Sequence, residues 1–227
     1  VDQVDYRTAI VNPLVRNEEI LYQLNGMSMY SSTNTEEMWN FVKNMGFENL
    51  ENRFQYAGST EVMDMLLGIR YLFCRNTRTL HTAYKKIAES QSFDLYENPR
   101  ALRSGYMVSD SVLDYAMEGT DPLEVQNRLL SGIVGKRLYK MQTVNSDTAL
   151  IGNTTFNIHL KKGEHGYLYI PGTEPDTVTI NGQEQKSDYW NNNFLDLGTY
   201  NVDTIVQVTT GTGMHEAVLG TYQESEL

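Results

Sequence analysis

Two aromatic side chains followed by three amides, Tyr189-Trp190-Asn191-Asn192-Asn193, form the segment of this chain best equipped for molecular recognition. A flat apolar ring lies well against the C–H face of a sugar, and carboxamides donate to and accept from its hydroxyls. Tyr189, Trp190, Asn191 and Asn193 are therefore the candidate ligand-binding residues. The same five residues could equally close an inter-strand turn, with the rings packed over a sheet edge. Tyr30-Ser31-Ser32-Thr33 is a second polar-aromatic patch, part of which a helix-capping role for Thr33 already explains.

Groups able to catalyse are harder to find. The histidines are His81, His159, His165 and His215. No two stand four apart, as a helical zinc site requires, and a single cysteine, Cys74, leaves no thiol pair. His159 falls on the polar side of an alternating strand, His165 in a Gly163–Gly166 turn and His215 in a loop, so all three are expected in solvent. No nucleophile elbow, phosphate loop or dinucleotide fingerprint occurs. The acids Asp147, Asp176, Asp188, Asp196 and Asp203 are dispersed without calcium-loop spacing. Glu61 and Asp64 are the nearest carboxylate pair for glycoside chemistry. Both sit in a first helical turn, where the helix dipole alone favours acids. Lys136, Arg137 and Lys140 complement the negative end of a helix in the same way. No catalytic residue, cofactor or metal ligand is assigned.

The elements that must position these residues change character along the chain. Thr33 with Glu36, or Asn34 with Glu37, makes a capping box ahead of Met38, Phe41, Val42 and Met45, one apolar helix face that Gly46 ends. Ser59 or Thr60 starts a short helix carrying Val62, Met65 and Leu66. Gly68 stops it before an almost wholly apolar strand, Ile69–Cys74, expected to be covered on both faces. Residues 76–95 are ambiguous: Leu80, Ala83, Tyr84 and Ile87 suit a helix, whereas Phe93 and Leu95 alternate as a strand. Asn98-Pro99 is a turn, Tyr106-Met107-Val108 a short strand, and Asp121, Pro122 and Glu124 open a helix bearing Leu123, Leu130, Ile133 and Val134. Beyond residue 138 the period becomes two: Phe156, Ile158, Leu160; Tyr167, Tyr169; Val178, Ile180; Val202 to Val208. Asn181-Gly182 is a strong hairpin signal. The expected fold is α+β. Residues 1–140 form a mixed α/β domain packed against an antiparallel, jelly-roll-like β-sandwich at 141–227.

With 227 residues, 40% of them apolar and 21% charged, the chain is long enough for real cores and too apolar for disorder. The formal charge of −11 argues against nucleic acid as a partner and disfavours docking onto an anionic lipid surface. No apolar run approaches the ~20 residues of a membrane-spanning helix, and no signal peptide is visible at Val1. Cys74 is expected to be an inert core thiol.

Five segments in order carry a family likeness. They are Asn25-Gly26-Met27-Ser28-Met29-Tyr30, Tyr56-Ala57-Gly58-Ser59-Thr60 through Leu66-Leu67-Gly68, Tyr96-Glu97-Asn98-Pro99-Arg100, Gly105-Tyr106-Met107-Val108-Ser109, and Asp121-Pro122-Leu123-Glu124. This order resembles the YfhO-type family of multi-spanning bacterial membrane proteins, closely from Tyr6 to Gly135 and more loosely beyond. Arg103 departs from it, standing where the family more often has proline. The resemblance implies an extracytoplasmic domain of a cell-membrane protein. It also implies kinship with lipid-linked-sugar-dependent glycosyltransferases that modify surface polymers such as teichoic acid. Its expected partners are the membrane portion of the same polypeptide and an envelope glycopolymer. In such enzymes the catalytic acid lies on a loop near the first membrane helices, which no segment here matches. A carbohydrate-binding or protein-interaction module without part in transfer is the other reading.

Overall fold

The computed structural model describes residues 5–50, 52–57, 59–75, 84–114, 119–146, 148–150, 153–172, 176–184, 194–211 and 216–227. The chain divides into two compact units, Val1–Val108 and Ser109–Leu227. The change of sequence texture near residue 140 marks where helix gives way to strand; the division by packing falls earlier, ahead of the last helix.

The first unit is built on a four-stranded sheet. Its strands are β1 (Arg7–Val11), β5 (Ile69–Cys74), β7 (Asp94–Glu97) and β6 (Lys85–Glu89), in that order. β1 runs parallel to β5, and the other neighbours are antiparallel. β5 is central, with Ile69, Leu72 and Cys74 sealed from solvent, which is why nearly every residue in it is apolar. β6 is a fully exposed edge. Ile87 therefore lies on an open strand and not on a helix face, while Tyr84 just before it is buried. A small sheet joins β2 (Met29–Tyr30), β4 (Arg53–Phe54) and β3 (Asn49–Leu50).

Among the described residues, three helices complete this unit: α1 (Glu18–Leu21), α2 (Glu36–Asn44) and α3 (Glu61–Leu66). The cap of α2 is Thr35, whose hydroxyl accepts from the Met38 amide at 3.3 Å, and not Thr33, which pairs with Ser31. Met38, in the first turn, is exposed, while Val42 and Met45 fill the core. Gly46, at φ 93°, ends the helix as expected. Thr60 caps α3 by accepting from Met63 N at 3.2 Å. Tyr106-Met107-Val108 forms no strand; Met107 is almost wholly exposed.

The second unit is a two-sheet sandwich. One sheet runs β13 (Gln183–Glu184), β12 (Thr177–Ile180), β15 (Thr204–Thr210), β10 (Asn153–Leu160), β9 (Thr148–Leu150). The other runs β14 (Phe194–Thr199), β11 (Glu164–Tyr169), β16 (Glu216–Gln223), β8 (Lys140–Asn145). Every pairing is antiparallel. The period of two delivers Phe156, Ile158 and Leu160 from β10, and Val206 and Val208 from β15, to one interior. There they meet Leu168, Leu195, Leu197 and Leu219 of the opposite sheet. Each such side chain contributes about 1.5–3 kcal/mol on burial. Asn181 and Gly182, at φ 49° and 80°, close the β12–β13 hairpin.

Helix α4 (Pro122–Val134) covers the outer face of the four-stranded sheet. Asp121 caps it, accepting from Leu123 N at 3.0 Å, and Gly135 at φ 71° closes its far end. The fit is close enough that a Cβ on Gly220 of β16 would meet Leu123 at 2.9 Å. Asn127, fully buried, accepts from the Leu138 and Tyr139 amides and donates to the Tyr139 carbonyl, so it satisfies the strand leading out of the helix.

Candidate functional site

Tyr189, Trp190, Asn191 and Asn193 lie outside the described residues, as does Asn192. His81 and His215 do so too. Among the described residues the chemistry-bearing side chains gather in three polar centres, two in the first unit and one in the second.

The first centre surrounds Asp64. Tyr56 Oη donates to its Oδ2 at 2.6 Å, Ser59 Oγ to its Oδ1 at 2.5 Å, and Tyr84 Oη also donates to Oδ2. The carboxyl is sealed from water, and desolvation raises its pKa to about 6 despite three donors that favour the anion. Burial likewise pushes the Tyr84 phenol well above its ordinary value. One turn earlier, the buried carboxylate of Glu61 pairs with Arg100.

That pair joins two of the family-like segments, the Ser59-Thr60-Glu61 helix start and the Asn98-Pro99-Arg100 turn. The turn is fixed again by Asn98, fully buried, whose Oδ1 accepts from Arg100 N at 3.0 Å and whose Nδ2 donates to the Ile69 carbonyl at 3.4 Å. Glu97 accepts from Arg70 Nε and Nη2 at 3.0 and 2.7 Å. Glu97 and Asn98 are thus bound into the frame.

The stability carried by Asp64 depends on pH, and the sign follows from the shift. Between 3.8 and about 6 the folded chain keeps a proton that the unfolded chain has released. Stability therefore falls as pH rises through that window, by about 3 kcal/mol at most. Urea unfolding of the parent and of Asp64→Asn, compared across the window, should show the parent losing ground to the variant as pH rises. Parallel curves would show that Asp64 ionises as freely in the fold as outside it.

The second centre holds the two glutamates that open α1. Arg75 grips Glu18 through both Nη atoms, one of them at 2.7 Å to Oε2, and the Leu14 amide donates to Oε2 at 2.9 Å. The Arg75 hydrogen bond holds the Glu18 carboxyl below its ordinary pKa. Glu19 accepts from Ser28 Oγ at 2.9 Å and from the Ile10 amide at 3.3 Å; desolvation raises its pKa.

The third centre lies in the second unit, under α4. His165 is buried in β11, not solvated in a turn. Its Nδ1 stands 2.9 Å from Thr199 Oγ1 and its Nε2 3.0 Å from Asp196 Oδ1. Its ring stacks on Tyr222 at 5.1 Å and lies 4.6 Å from Tyr167; Tyr139 meets both tyrosines edge-on. A histidine beside a carboxylate is general-base geometry, but here the aromatic cage fills the space a substrate would need. The turn signal of Gly163 and Gly166 hid this burial, since flanking glycines say nothing of the pairing with β14 and β16.

No cluster of three or more His, Cys, Asp or Glu side chains suited to a metal occurs among the described residues. No helix among them is long and apolar enough to cross a membrane. Comparison with known families matches residues 2–218 to the family described as bacterial membrane protein YfhO. No curated protein and no solved structure matches the chain.

Proposed function

Because this chain belongs to the YfhO family of bacterial membrane proteins, we propose that it is the extracytoplasmic accessory domain of a membrane glycosyltransferase. Such an enzyme would use lipid-linked sugar to modify a surface polymer such as teichoic acid. The domain positions the acceptor glycopolymer or braces the membrane portion of the same polypeptide, and the reacting groups lie in that portion. The observation that supports a positioning role is the state of its acids. Glu18, Glu61 and Asp64 are buried and engaged by protein donors, which makes them framework and keeps them from a substrate.

The aromatic-amide segment at Tyr189, Trp190, Asn191 and Asn193 is the proposed acceptor contact. In a Trp39→Phe background Trp190 is the sole indole. Its fluorescence is expected to change saturably with millimolar teichoic-acid fragments, and the change should vanish in Tyr189→Ala. An unaltered spectrum from a folded chain would remove this segment from the proposal. Excising the chain from the membrane protein then separates the two readings. Loss of sugar transfer supports the accessory domain; retained transfer with lost polymer binding supports a carbohydrate-binding module.

A further inference from the structure

Helix α1 is inside out. Its two glutamates are 3% and 2% exposed, while Ile20 and Leu21, beside them in the same turn, are 59% and 68% exposed. Ordinary amphipathic order places carboxylates in water and leucines inside. The inversion is held by specific partners: Arg75 and the Leu14 amide on Glu18, Ser28 and the Ile10 amide on Glu19.

The apolar surface continues on both sides of the helix. Leu14, 77% exposed, and Val15 precede it and Tyr22 follows, all open to solvent. Asn17, at φ 57°, clamps this loop to β2. Its Nδ2 donates to the Tyr30 carbonyl at 3.0 Å and its Oδ1 accepts the Tyr30 amide at 2.6 Å. The clamp brings Tyr30 alongside, with the Arg16 guanidinium 4.4 Å above its ring.

We propose that the face formed by Leu14, Val15, Ile20, Leu21, Tyr22 and Arg16 docks into the headgroup region of a lipid bilayer. Charge selects this occupant. The chain carries −11 overall, yet from Pro13 to Gln23 both acids point inward and the exposed charge is the single cation Arg16. Aliphatic side chains flanked by tyrosine and arginine are what the interface accepts, since the aliphatics enter the acyl boundary while the ring and guanidinium stay at headgroup level. An anionic lipid surface repels the rest of the molecule and tolerates this one patch, which fixes an orientation. Membership in a membrane-protein family puts a bilayer within reach. The inference does not depend on any glycan being bound.

Vesicle flotation tests it directly. The chain should float with phosphatidylglycerol–phosphatidylcholine vesicles, and Leu14→Gln/Ile20→Gln/Leu21→Gln should reduce the bound fraction about tenfold or more. Those three side chains are exposed, so circular dichroism and melting should match the parent. Arg16→Gln should weaken binding roughly fivefold to the anionic vesicles and leave phosphatidylcholine binding unchanged. Failure of the parent to float, or equal flotation of the triple variant, would overturn the proposal. So would concentration-dependent dimerisation that the triple variant abolishes without any vesicle binding, which would assign the face to a second copy. Tryptophan titration with glycan and flotation on lipid fail independently of one another.

Discussion

Gly68→Val is expected to lower the unfolding free energy by about 3–5 kcal/mol. Two features combine there. Gly68 has φ +68°, a region that a β-branched residue enters only under strain. A Cβ at this position would also stand 2.8 Å from the Leu102 carbonyl oxygen, a backbone atom with no rotamer to yield. Leu102 cannot retreat cheaply, because its amide donates to the Met65 carbonyl at 3.0 Å while the Gly68 carbonyl accepts the Arg7 amide at 2.7 Å. The change would loosen α3, β1 and β5 at one point. Gly68→Ala meets the same carbonyl with less bulk and should fall between parent and valine variant. Chemical denaturation monitored by circular dichroism orders the three. A valine variant as stable as the parent would mean that the helix stop tolerates an ordinary backbone.

Arg75→Ala should cost about 3–5 kcal/mol as well, for an electrostatic reason. It leaves the Glu18 carboxylate, 3% exposed, with the Leu14 amide and the Tyr22 hydroxyl but no counter-charge. It also removes a guanidinium that lies 4.4 Å over Phe93 and donates to the Asn12 carbonyl. The double variant Arg75→Ala/Glu18→Leu tests the cause. Removing both charges should recover the larger part of the loss, because what destabilises the single variant is the orphaned anion. The lost Phe93 and Asn12 contacts limit that recovery. A double variant no better than the single one would assign the whole effect to packing. The pH dependence is opposite in sign to that of Asp64: Arg75 depresses the Glu18 pKa, so this contribution is present above the ordinary carboxylate range and fades as pH falls through the depressed value.

Much of the framework was legible in short stretches of sequence. Asp121 with Pro122, Gly46 and Gly68 announce helix ends because capping is a local transaction between a residue and amides two or three positions away. Asn181-Gly182 announces a hairpin because the turn needs two positive φ angles in succession. Alternation from Phe156 to Val208 requires a half-buried sheet whatever its partner, and Ile69–Cys74 reads as covered on both faces because it offers almost nothing polar. Even the family likeness rests on such local punctuation.

What escaped was every partnership across distance. Thr33 and Thr35 offer equivalent caps, and the backbone beyond them selects one. Glu18 and Glu19 look like solvent-facing acids until Arg75, just past the end of β5, reaches the first of them; their inward turn in α1 then forces Ile20 and Leu21 out. His165 looks like a turn residue until β14 and β16 close on either side of it. Glu61 and Arg100 belong to separate motifs that folding makes one. A side chain's hydrogen-bond partners and its solvent exposure are set by residues dozens of positions away, whose approach no periodicity of two or 3.6 encodes. Local chemistry therefore wrote the elements and their limits, and long-range packing chose which faces of them meet water.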